Sequence, residues 1–162
     1  MQLDRRAVLG LGGVGLAAVV LGTGTSGAEA RYPFQLSDAE WRRRLSPEAY
    51  RILRKAGTER PGSSSLDHER RRGTFVCAGC GNPLFSSADK FDSGTGWPSF
   101  TRALPRRAVT RPDRSIPVMP RTECLCARCG GHLGHVFDDG PRPTGHRWCI
   151  NGVALRFTPA QG

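Results

Sequence analysis

Cys77-Ala78-Gly79-Cys80-Gly81 and Cys126-Ala127-Arg128-Cys129-Gly130 repeat one pattern, C-x-x-C-G, and their reading decides the fold. Two-residue spacing lets a tight turn aim both sulfurs at one point, and two such turns complete a tetrahedral four-thiolate site with no open coordination position. The expected ion is zinc, one per chain, held by Cys77, Cys80, Cys126 and Cys129. Residues 81–125 separate the pairs, so the metal would cross-link distant parts of one domain rather than close a compact ribbon. The glycine after each second cysteine suits a backbone that bends around an ion with positive φ. The pattern also admits two disulfides or a redox pair. A closed zinc site is structural, which leaves Cys124 and Cys149 as the candidates for chemistry.

Around these turns, residues 73–157 alternate short β-branched and aromatic segments with Gly/Pro punctuation. Strands are expected at 74–77, 83–85, 97–101, 107–110, 121–126, 133–137, 147–151 and 153–157, with no helix of normal length among them. Upstream, Ser37 and Glu40 form a capping box for a short helix reaching Leu45, with Leu36 stapled onto Trp41. Ser46-Pro47 opens a second helix that carries Tyr50, Leu53 and Ala56 along one side and stops at Gly57. Residues 57–72 read as a polar, extended connection. The expectation is a mainly β protein: antiparallel sheets in one domain over 31–162, with short N-terminal helices.

Residues 1–30 read as a cleavable export signal. Arg5 and Arg6 precede an apolar run from Ala7 to Leu21, and Ala28-Glu29-Ala30 offers a small-x-small cleavage pattern. The paired arginines are similar to a twin-arginine signal, with Asp4 where serine is commoner. An ordinary secretory signal or an uncleaved anchor fits the same residues, but the run is shorter than the ~20 residues of a membrane span. The expected destination is the periplasm or another extracytoplasmic space, with no stable membrane anchor.

Net charge is +10 in 162 residues. The arginines are scattered, so a nucleic-acid partner is not expected, although a basic zinc-stabilised module for an anionic polymer is the main rival reading. A disulfide-stapled extracellular protein is another. Asp67-His68-Glu69 and Asp138-Asp139 read as caps and solvated turns rather than ligands.

In the strand Arg147-Trp148-Cys149-Ile150-Asn151, alternation puts Arg147, Cys149 and Asn151 on one face and the apolar pair on the other. A fixed cation beside a thiol favours thiolate, the nucleophilic form. The same pattern also fits a small buried cysteine with Arg147 in solvent.

GTERPG (57–62), CAGCG (77–81), FDSGTGWPSF (91–100), CGGHLGHVFDDGP (129–141) and RWCING (147–152) together resemble the methionine-R-sulfoxide reductases, over about residues 36–157. The resemblance implies a zinc-containing β fold that reduces the R epimer of methionine sulfoxide in oxidised proteins or peptides, with a thioredoxin-like or other thiol reductant as partner. It implies Cys149 as the catalytic nucleophile passing through a sulfenic acid, and His135 and His132 as proton donors, His135 first. Both histidines reach one site only if Gly134 allows a bulge or turn. Trp97 would pack the substrate methyl group, Asn151 would position substrate or histidine, and Arg147 would polarise Cys149. A core role for Trp97 and structural roles for the histidines, Asn151 and Arg147 are the alternatives. Many relatives carry a resolving cysteine where this chain has Thr95. Cys124 is therefore either a resolving thiol or a small apolar strand residue, and in the latter case an external thiol resolves Cys149 directly. His146 and Trp148 also stand where Leu and Tyr are common.

Overall fold

The computed structural model describes residues 32–161. The export-signal expectation for residues 1–30 lies outside them. Within the described residues, no helix is long and apolar enough to cross a membrane.

Helix α1 (Asp38–Arg44) starts where its capping box dictates: the Ser37 hydroxyl accepts from the Glu40 N–H, and the Glu40 carboxylate accepts from the Ser37 N–H at 2.8 Å. Helix α2 (Pro47–Lys55) is capped by Ser46, with proline in its first turn, and buries Ala49, Tyr50, Ile52 and Leu53. Its end departs from expectation. Ala56, not Gly57, takes the left-handed conformation (φ 52°, ψ 37°) and is exposed. At Gly57 a Cβ would lie 3.0 Å from the Arg51 carbonyl oxygen, a tight backbone contact.

Among the described residues nine strands follow: β1 (Gly73–Cys77), β2 (Pro83–Ser86), β3 (Lys90–Phe91), β4 (Ser99–Phe100), β5 (Ala108–Asp113), β6 (Arg121–Cys126), β7 (His132–Phe137), β8 (Arg147–Ile150) and β9 (Leu155–Pro159). They form a three-stranded sheet, β2-β1-β9, and a six-stranded sheet, β3-β4-β8-β7-β6-β5, with antiparallel pairing throughout. Phe75, Phe85 and Phe100, all fully buried, join the two sheets, with the Phe85 and Phe100 rings stacked at 4.4 Å. Such ring pairs add roughly 0.5–1.5 kcal/mol to the area they bury.

The mainly antiparallel β architecture is as expected, but the short β3 was not foreseen, several strand ends shift by one or two residues, and three departures are larger or change the element. Residues 97–98 stay in a loop, and β3 pairs with the remaining two-residue β4. Residues 152–154 form a 3-10 turn before β9. Strand β5 runs on through Pro112, which an edge strand tolerates because no neighbour needs its missing N–H.

The 57–72 connection is not simply a polar strap. Glu59 is buried, its N–H donates to Asn151 Oδ1, and its carboxylate accepts from the Gly152 and Val153 N–H groups at 2.6 and 2.9 Å. Those bonds hold the 3-10 turn that ends β8, next to Cys149.

Candidate active site and metal centre

The sulfurs of Cys77, Cys80, Cys126 and Cys129 lie within 4.8 Å of one another, the only such ligand group among the described residues. The Cys77–Cys129 and Cys80–Cys126 sulfur separations are 3.8 and 3.6 Å. These are too long for disulfides, whose S–S bond is about 2.05 Å. They match the edge of a tetrahedron of thiolates each about 2.3 Å from a divalent metal, roughly 3.8 Å. Gly81 and Gly130 carry the expected positive φ, 74° and 67°. The Asn82 side chain donates to Cys126 Sγ at 3.5 Å, an outer contact of the kind that orients metal ligands. The residues therefore fit a closed, four-thiolate metal site.

The second site is assembled by register across the six-stranded sheet. Ser99 pairs with Cys149, Cys149 with His135, His135 with Glu123, and Glu123 with Arg111. Directly paired residues share a face, so one row of side chains crosses β4, β8, β7, β6 and β5. Trp148 and Ile150 point the other way into the core, as alternation requires. The β6–β7 register slips between Cys124 and Leu125, so that Leu125 pairs with His132 while Cys124 pairs with Gly134. This is the bulge that Gly134 was expected to permit. A Cβ on Gly134 would sit 2.1 Å from the Cys149 carbonyl oxygen, so only glycine fits there. The slip brings His132 to His135, with ring centroids 5.4 Å apart.

Each histidine has its own carboxylate and arginine. His132 Nδ1 donates to Glu123 Oε1 at 2.7 Å, and Arg111 Nε donates to Glu123 Oε2 at 2.6 Å. His135 Nε2 donates to Asp113 Oδ2 at 2.9 Å, and Arg121 Nη2 donates to the same oxygen at 2.7 Å. Burial lowers the His132 pKa, against the opposing pull of Glu123. Hydrogen bonds from Ser115, then His135, keep Asp113 below the usual carboxylate range.

Cys149 is half-buried. Burial pushes its thiol up, and the opposing influences of Arg147 and of a Thr95 hydrogen bond do not cancel it. The expectation of a ready thiolate is thus corrected: Arg147 is near enough to act on Cys149, but it is also bound in a fork by Asp139, at 2.8 and 2.9 Å, and lies over the Phe137 ring. Asp139, read from sequence as a solvated turn residue, holds that guanidinium.

Trp97 sits half-buried in the 92–98 loop with its indole nitrogen buried and without a protein partner. The loop is clasped from both sides. Gly62 N–H donates to the Gly96 carbonyl at 2.7 Å, and Ile150 N–H donates to the Pro98 carbonyl at 2.9 Å. Ser93 Oγ bridges Thr95 and Ser99, 2.8 Å from each hydroxyl. Asn151 is buried with its amide spent on backbone, accepting from Glu59 and donating to the Leu133 carbonyl at 2.9 Å. Leu133 lies on the chain between the two histidines, so this bond ties Asn151 to their segment.

Cys124 is fully buried on the core face, in the row with Gly134 and Ile150, opposite to the face that carries Cys149. Burial pushes its thiol up strongly. In this arrangement the two sulfurs stand on opposite faces of the sheet.

A family model, the SelR domain, matches residues 45–159. The chain belongs to the SelR domain family. The match spans both C-x-x-C-G turns and the whole Cys149 row. Relatives of this SelR chain include the peptide methionine sulfoxide reductase MsrB of Bradyrhizobium diazoefficiens, 56% identical over 123 residues, covering 76% of this chain and 88% of the relative. That of Methanosarcina barkeri is 49% identical over 128 residues, covering 79% and 90%. The chloroplastic peptide methionine sulfoxide reductase B1 of Arabidopsis thaliana is 51% identical over 122 residues, covering 75% of this chain and 60% of that one.

Sequence reasoning missed Glu123, Asp113, Arg111, Arg121 and Glu59. One signal was present for Glu123: a carboxylate inside the apolar run Cys124-Leu125-Cys126 and its flank is rarely buried without a partner. For the others, partner identity depends on strand register, and nothing local reveals it.

Proposed function

We propose that this SelR chain is an oxidoreductase that reduces the R epimer of methionine sulfoxide, in oxidised proteins or as the free amino acid, to methionine. The observation that carries the reading is the pairing of Cys149 with His135 across β8 and β7, with His132 folded back beside it, in a chain whose relatives are named peptide methionine sulfoxide reductases. Cys149 Sγ attacks the sulfoxide sulfur, the histidines move the thiol proton to the departing oxygen, and that oxygen ends on Cys149 as a sulfenic acid while methionine leaves. One external thiol then displaces water from the sulfenic acid to give a mixed disulfide. A second thiol, from a thioredoxin-like or other dithiol donor, releases reduced Cys149.

Trp97 would receive the substrate methyl group against its ring, which orients the sulfoxide oxygen toward the histidines and selects one epimer. Arg147, held by Asp139, stabilises the thiolate as it forms. The four-cysteine site would hold one structural zinc, whose contribution when bound is to clamp the β1–β2 and β6–β7 turns together. Residues 1–30 would direct the protein out of the cytoplasm, and twin-arginine export of folded cargo would let zinc bind before the thiols meet an oxidising compartment. A basic polymer-binding module would leave the Cys149 row and Trp97 without use.

Turnover of separated R and S methionine sulfoxide peptides with dithiothreitol tests the reading. Wild type should consume the R peptide alone and Cys149→Ser neither. Consumption of S alone refutes the epimer assignment, and unchanged turnover by Cys149→Ser refutes the nucleophile.

A further inference from the structure

We propose that Glu123 is a positioning residue for proton transfer at Cys149, fixing His132 in one tautomer so that its Nε2 faces the reacting atoms. The inference rests on the sulfoxide-reductase reading above and adds a group to it. A carboxylate only accepts, so the 2.7 Å contact with Glu123 Oε1 places the neutral ring's proton on Nδ1. Nε2 is then the lone-pair nitrogen, and it is buried without a protein partner. A buried polar atom left unpartnered by the fold costs stability unless something else bonds it. Here that partner is the sulfur-bound proton of the reaction, and once Nε2 has taken that proton it can donate to the sulfoxide oxygen.

Glu123 is itself 5% exposed, and its second oxygen is held by Arg111 Nε at 2.6 Å, so the carboxylate cannot rotate away. The groups facing His132 are Glu123 on β6, Arg111 and Asp113 on β5, and His135 on β7. Of the carboxylates among them, only Glu123 bonds the His132 ring. His135 is arranged in the opposite sense, with Nε2 bound to Asp113 and Nδ1 left over. The two rings thus offer different nitrogens at one site. When substrate binds, the Cys149 S–H proton passes to His132 Nε2, Glu123 stabilises the resulting imidazolium, and the same proton passes on to the oxygen that leaves methionine. No further proton or electron is needed.

Two readouts on the full chain with zinc bound test this. At pH 8, nitrogen-15 shifts of His132 should report a protonated Nδ1 and a bare Nε2. Glu123→Gln keeps the size and an acceptor but loses the charge, so kcat on the R peptide should fall about tenfold to a hundredfold while KM changes less than about twofold. The acid limb of the kcat profile should move to lower pH, because a lost carboxylate lowers the imidazolium pKa. Zinc content and unfolding midpoint serve as folding controls. An Nε2-protonated His132 in wild type overturns the proposal even if the variant fails to fold, and so does a folded variant with unchanged kcat and pH profile. If wild type reduces no sulfoxide, the functional reading fails, while the tautomer measurement still decides the role of Glu123.

Discussion

The four-cysteine cluster and the Cys149 face both present cysteine sulfur, but they are built by different means. In the cluster, each pair of sulfurs converges through a three-residue step and a glycine at positive φ, so half of each site is local. On the Cys149 face, neighbours come from five strands and meet only through register, with one slip at Gly134 that turns a histidine around. The first uses four cysteines to hold the chain. The second leaves a single cysteine half-exposed, with hydrogen-bonding groups around it. With the proposed zinc bound, the cluster sulfurs would have complete coordination, whereas Cys149 stands apart from the cluster, half-buried on β8.

The contrast can be broken most forcefully at the cluster. Removing the proposed zinc with a chelator, or replacing Cys126 by serine, should abolish cooperative unfolding, since a structural zinc site contributes on the order of 10 kcal/mol, comparable to the whole stability of a domain. Thermal unfolding with metal analysis checks it, and a folded metal-free protein would show that the cluster is not a clamp.

At Cys149 the expected effect is on reactivity rather than fold. Burial raises its pKa, so the thiolate fraction at neutral pH is small, and iodoacetamide labelling should climb as pH rises past the ordinary cysteine value of about 8.5. Arg147→Ala removes a charge that opposes this rise, so its labelling midpoint should lie higher still. A midpoint that stays put or falls would mean that Asp139 already cancels the guanidinium. The smallest effect belongs to Cys124→Ala, which should cost about 1 kcal/mol of stability for a small cavity and leave sulfoxide turnover unchanged. A lost turnover there would return Cys124 to the cycle.

Both motif turns, the two helix starts and most strands were legible because they follow from local rules: spacing, capping boxes and period-two alternation. Pro47 and Ser37 mark their helices without help from the rest of the chain. Pro112 hid the end of β5, since proline in a strand reads as a stop, and Asp113 was hidden with it. Glu59 looked like part of a solvated strap because its partners, the N–H groups of Gly152 and Val153, are more than ninety positions away. Asp139 is the exposed residue between strands that the sequence suggested, but its hold on Arg147 was hidden because that arginine arrives on the next strand. Cys149 could be singled out by elimination and resemblance, but its thiol was expected to be ionised, since a neighbouring arginine is visible in sequence and burial is not.

The most direct test is mass spectrometry of Cys149 after one equivalent of R methionine sulfoxide peptide in the presence of dimedone and absence of reductant. The account predicts one methionine released per chain and one dimedone adduct, on Cys149 alone, with Cys124 and the four cluster cysteines unlabelled. Methionine release with an unmodified Cys149, or with a disulfide between Cys124 and Cys149, would contradict it.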